Sequence, residues 1–150
     1  MVEQNFEIMK KISSLKVGRE TLIKKNLIPN IIKNTELAAL LKNTKGTVIG
    51  LNIIDNITRA EGGKEALKKA EIVKHLSSIL DHFDNNDQVL KTGAKIFSKI
   101  AKPEDLLAEL EKLKKFITSD DYSDLNELKK ALVLISNFIL VDEIAKTLCQ

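Results

Sequence analysis

A chain of 150 residues, 43% apolar and 30% charged, is long enough for one compact domain or a short repeat array and rich enough in apolar side chains to bury a core. Two prolines and six glycines argue against a turn-rich β architecture, and with no Trp and only five Phe the core has to be built from Leu, Ile, Val and Ala. The net charge of +3 comes from 24 basic and 21 acidic residues, with Lys alternating with Glu and Asp on most segments. That pattern lacks the concentrated basic face of a nucleic-acid binder, so nucleic acid is not an expected partner.

Apolar residues recur at helical spacing along nearly the whole chain. They predict helices near 3–15, 20–25, 28–42, 46–59, 64–69, 72–83, 87–101, 104–118, 124–139 and 142–149. Gly18 is expected to separate the first two. Pro29 stands where a helix would start, at a position whose missing N–H costs nothing. Thr44-Lys45-Gly46 is expected to break the next pair, and Gly62-Gly63 to act as a flexible stop. Asp84-Asn85-Asn86-Asp87 reads as a turn with a ready N-cap. Pro103-Glu104-Asp105 opens a helix with acid at the positive end of its dipole. Ser119-Asp120-Asp121 and Ser123 supply a turn and a cap for the helix over 124–139.

Internal repetition is the most informative pattern. Val48–Thr58 aligns with Lys91–Ala101 at a shift of 43, and both align with Lys129–Ile139 after a further shift of 38. Four apolar columns result: Leu51, Ala94 and Leu132; Ile53, Ile96 and Leu134; Ile54, Phe97 and Ile135; Ile57, Ile100 and Phe138. Gly50, Gly93 and Ala131 form a fifth column of small residues. Mid-helix Gly costs about 1 kcal/mol relative to Ala, so a close helix approach is expected there. Three helices sharing one pattern imply stacked copies of one unit, each burying its face against the next.

The stretch Gly62–Ala101 resembles one whole armadillo repeat. It has a short first helix at Lys64–Lys69, a second carrying Ile72, Val73, Leu76, Ile79 and Leu80, a polar turn, and a long third helix. Arg19–Thr58 is similar: its NLIPNIIK resembles the family's Gly-x-Ile-Pro-x-Leu-Val opening, with Asn26 in place of Gly. Glu104–Ile139 is closer to a two-helix HEAT-like unit. In the Gly62–Ala101 unit, Ala70 stands where the family usually has Gly and Val73 where it has Pro. The resemblance implies an all-α chain forming a right-handed α-solenoid, an armadillo-like superhelix of about three repeats plus partial repeats at both ends. Residues 1–150 then form one armadillo-like domain, with repeats near 19–60, 61–102 and 103–140 and partial repeats at 1–17 and 141–150. Ile8, Met9, Ile12 and Leu15 share one face of the first partial repeat. A register that places both termini inside repeats predicts an excised segment of a longer solenoid, or a short protein that pairs end to end.

In this family the third helices line a concave groove, and Asn residues on them hold the backbone of an extended peptide. An Asn amide both donates and accepts, so it grips a peptide unit whatever its side chain. The matching positions are Asn56, Lys99 and Asn137, and one turn earlier Asn52, Lys95 and Val133. Lys91, Lys95 and Lys99, spaced by four, share a helix face. If that face is the groove, its centre is basic and favours an acidic segment over a basic one. Two plainer readings stand beside this one: lysines that only solvate a helix, and Asn56 and Asn137 serving as caps or inter-helix hydrogen bonds.

Other chemistry finds little support. His75 and His82 lie seven apart with no further ligands spaced to complete a zinc site. Asp84–Asp87 lacks the Gly and terminal Glu of a calcium loop. Gly62-Gly63 lacks the flanking pattern of a phosphate loop. Ser13-Ser14 and Ser77-Ser78 have no His and acid placed to activate them. No enzyme, cofactor, metal or small-molecule substrate is therefore expected. The single Cys149 excludes an internal disulfide, and 1–15 shows no signal-peptide pattern, which together predict a reducing compartment, cytoplasmic or nuclear. The longest apolar run, Ala131–Val141, is interrupted by Ser136 and Asn137, too short to span a membrane. Two functions remain: a non-catalytic scaffold for a protein or peptide partner, and a structural segment of a larger cytoskeletal, ciliary or transport complex that packs end to end or self-associates through uncapped ends.

Overall fold

A computed structural model describes residues 2–83, 86–118, 125, 128–130 and 132–133. The described residues are all-helical, with no strand among them: α1 (Val2–Ser14), α2 (Lys16–Lys24), α3 (Ile28–Leu40), α4 (Thr44–Ile57), α5 (Gly63–Lys69), α6 (Ile72–Asp81), α7 (Asp87–Ile100) and α8 (Pro103–Thr118). None of these helices is long and apolar enough to cross a membrane. The expected helix over 142–149 and the Ser119–Ser123 turn lie outside the described residues, as does most of the expected helix over 124–139.

The helix boundaries follow from local chemistry. Pro29 sits in the first turn of α3. Asn43 caps α4 by accepting from the Gly46 N–H at 2.9 Å, and Asn86 caps α7 by accepting from the Val89 N–H at 3.1 Å. At the start of α8, the Asp105 carboxylate accepts from the Lys102 N–H at 2.9 Å, satisfying a donor the helix leaves orphaned. Gly62 makes its turn with a left-handed backbone, φ 72°.

Two expected breaks fall elsewhere. Gly18 does not separate α1 from α2; it lies inside α2, and the break is the extended Leu15 at φ −94°, ψ 141°. A Cβ at Gly18 would overlap the Ile12 main-chain oxygen, so this glycine serves the tight approach of α2 to the end of α1. Gly46 likewise lies within the first turn of α4 and does not end a helix, because the Asn43 side chain has already opened one.

Packing follows a three-helix period: α1 lies on α4, α4 on α7, α3 on α6 and α2 on α5. Within each group, α3 also packs on α4 and α6 on α7. α4 touches neighbours on several sides, and Leu51, Ile53, Ile54 and Ile57 are all fully buried there. Such Ile-rich segments are mediocre helix formers on their own, so the tertiary contacts stabilise α4. In α7 the buried residues Val89, Leu90, Gly93, Ala94, Ile96, Phe97 and Ile100 take one side, and Lys91, Lys95 and Lys99 fall on the other.

The mid-helix glycines meet the expectation of close approach. A Cβ at Gly50 would overlap Oγ1 of the fully buried Thr35 in α3, and one at Gly93 would come within 2.6 Å of Leu80 Cδ2 in α6. The α3–α6 contact is also pinned by polar groups. His75 Nδ1 lies 2.9 Å from Glu36 Oε2. Lys42 donates to the His82 main-chain oxygen while its ammonium sits 5.8 Å from the centre of the Phe83 ring.

The third aligned copy departs from the other two. Leu51 and Ala94 are fully buried, whereas Leu132, in the same column, is 50% exposed. Nearby, Lys130 is buried and pairs with Asp81, while Lys129 pairs with Asp87 at 2.9 Å. These two ion pairs hold the lysines against the last residue of α6 and the first of α7.

Candidate functional site

α1, α4 and α7 lie side by side, and five of the predicted binding residues fall on two of them: Asn52 and Asn56 on α4, and Lys91, Lys95 and Lys99 on α7. Their polar groups reach across from helix to helix. Asn56 Nδ2 donates to Ser13 Oγ at 3.0 Å, tying α4 to α1. Lys99 Nζ donates to Asp55 Oδ1 at 2.6 Å, tying α7 to α4. Ser13, Asn56 and Lys99 succeed one another at the 43-residue shift, so each step of the column uses its polar group on the preceding helix.

Asp55 is the centre of this face. It is 5% exposed, between Ile54 and Asn56 on a helix otherwise lined with isoleucine. Three cations close around it. Lys99 takes Oδ1, while Lys95 at 3.2 Å and Arg59 at 3.5 Å share Oδ2. Burial pushes the Asp55 carboxyl up, but hydrogen bonds and charge from Lys99 and Lys95 outweigh it and hold the group below its ordinary value. The carboxylate is therefore ionised at neutral pH. The four side chains together carry two more positive charges than negative.

The predicted residues thus divide into distinct roles. Asn56 serves as an inter-helix hydrogen bond, the plainer of its two expected readings. Lys95 and Lys99 are anchored on Asp55 and are not simply solvated. Lys91 is exposed one turn earlier on α7, and Asn52 is half-buried with no side-chain hydrogen bond among the described residues. Val133 does not join this cluster: it is partly buried and lines an apolar cleft with Leu125, Leu128 and Leu132. Asn137 lies outside the described residues. Neither Asp55 nor Arg59 nor Ser13 was among the expected site residues. The signal for Asp55 is a carboxylate set among Ile53, Ile54 and Ile57, which burial allows only with partners.

His75 and His82 do not converge on a metal. His75 turns to Glu36, and His82 contributes its main-chain oxygen to Lys42. Among the described residues no group of His, Cys, Asp or Glu is placed to hold a metal ion. No protein-family model, curated protein or solved structure matches this chain.

Proposed function

We propose that this chain is an armadillo-type solenoid segment that acts as a non-catalytic scaffold and holds an extended, acidic partner segment along the α1–α4–α7 face. The carrying observation is the cluster around Asp55, where three cations meet one carboxylate on neighbouring helices. The excess positive charge favours an acidic partner and disfavours a basic one. The solenoid reading is supported by the three-helix packing period and by N-caps and close-contact glycines that recur at a shift of 43.

The test is a peptide array of graded acidity probed with the intact chain and with Lys91→Glu. Lys91 is exposed, so its reversal leaves the Asp55 pairs intact. Acidic segments are expected to bind the native chain in preference to basic ones and to bind K91E less well. Equal binding by K91E, or no preference for acidic segments, rejects the reading.

A second reading, an assembly role, is favoured by exposed apolar side chains on the first two helices and the break between them: Ile8, Ile12, Leu15 and Val17. Sedimentation of the chain over a wide concentration range tests it, and a strict monomer counts against it.

A further inference from the structure

The Asp55 cluster is short of negative charge, and its geometry indicates what would balance it. Arg59 and Lys95 converge on a single carboxylate oxygen, yet their side chains remain 55% and 52% exposed. Lys99 is more enclosed, at 28%. The carboxylate lies beneath the cations, so an approaching ligand meets the guanidinium and ammonium groups first. Asp55 also gathers long side chains that would otherwise have to be ordered on binding, which lowers the entropic cost of forming a site.

We propose that Arg59, Lys95 and Lys99, gathered by Asp55, form a receptor for a phosphate monoester carried on a serine or threonine of the partner segment. This rests on the reading of the α1–α4–α7 face as the binding face. A phosphate monoester carries about −1.5 to −2 charges and three acceptor oxygens, matching the excess charge and the three donors. A single carboxylate or a phosphodiester carries one charge and leaves the cluster unbalanced. The Arg59 fork suits two phosphate oxygens at once, and the lysine ammonium groups act as point charges beside it. No bond is made or broken; the site recognises a group that a separate kinase adds.

The experiment uses the full chain and a peptide pool with randomised residues flanking a central phosphoserine. Parallel pools carry serine or glutamate at that position, and inorganic phosphate serves as competitor. Phosphoserine peptides are expected to bind about tenfold or more tighter than the serine and glutamate pools, and inorganic phosphate to displace them. Arg59→Gln/Lys95→Gln is expected to erase most of that preference, while Lys24→Gln/Lys25→Gln, on the exposed end of α2, leaves it unchanged. A circular-dichroism melt confirms that each variant is folded, and Lys95→Gln alone gives the same direction of change if the double variant is not.

Equal binding of phosphoserine and glutamate pools overturns the phosphate site but leaves the acidic-partner reading standing. Binding of inorganic phosphate without any preference for phosphopeptide assigns the site to free phosphate and overturns the partner claim. An unchanged preference in R59Q/K95Q places the site elsewhere. Failure of every acidic pool to bind removes both proposals.

Discussion

Asn43 and Asn86 perform the same task 43 residues apart: each accepts a hydrogen bond from the backbone N–H three residues on, and each opens a helix of 14 residues. The glycines at the middle of those helices, Gly50 and Gly93, keep the same spacing, and each faces the preceding helix of its own group.

That pair of glycines gives the first prediction. At Gly50 a new methyl meets Oγ1, Cγ2 and Cβ of Thr35, whose hydroxyl is already committed to the Ile31 oxygen at 2.7 Å. No rotamer relieves all three, so Gly50→Ala is expected to destabilise by about 1–3 kcal/mol. At Gly93 the nearest atom is the tip of the flexible Leu80 side chain. The gain of about 1 kcal/mol in helix propensity there offsets much of the strain, and Gly93→Ala is expected to be near neutral. Urea midpoints of the two variants check the contrast.

Asp55 should set an acid-dependent part of the stability. Its folded value is depressed, so its contribution is present above the ordinary carboxylate value of 3.8 and is lost as pH falls below that value through the folded one. Asp55→Asn is expected to cost about 1.5–3 kcal/mol near pH 7 and progressively less at lower pH, converging on the native chain below its folded pKa. Denaturant titrations at pH 7, 5 and 3 measure this, and a pH-independent gap counts against it.

The bond between Asn56 and Ser13 should appear as coupling. A double-mutant cycle with Asn56→Ala and Ser13→Ala is expected to return about 0.5–1.5 kcal/mol of interaction energy. A value near zero would mean that the two residues stabilise the α1–α4 contact independently.

Backbone strain gives a fourth prediction. Glu71 holds φ 56° and Asn26 φ 54° at the turns entering α6 and α3. A left-handed residue with a long side chain costs about 1–2 kcal/mol, a cost that Asn bears better through its short polar group. Glu71→Gly is expected to raise the melting temperature, and Asn26→Gly to change it little.

The helical character and most of the described helix boundaries were legible because amphipathic spacing and Asn, Pro and Gly punctuation are local signals. Pro29, Asn86 and Pro103 fall where helices begin, and the column of Leu51 with Ala94 is buried as its alignment implies. Gly18 misled because a glycine needed for close contact looks the same in sequence as one that ends a helix. Leu132 departs from its column beside pairings of Lys130 with Asp81 and Lys129 with Asp87 that span more than forty residues, beyond any local pattern. The face itself was half legible. The lysine row on α7 is a simple four-residue spacing, but its anchor on Asp55 is a contact between helices, visible in sequence only as a charge among isoleucines.

The sharing of α4 between α1 and α7 has a consequence for how the chain comes apart. α1 and α7 each rest on α4, so order passes between them through that helix. Amide hydrogens in α4 should exchange with solvent more slowly than those in α2 or α5, whose contacts are sparser. Loss of α4 would release both flanking helices together, so among the described helices α4 should be the last to give up its protons.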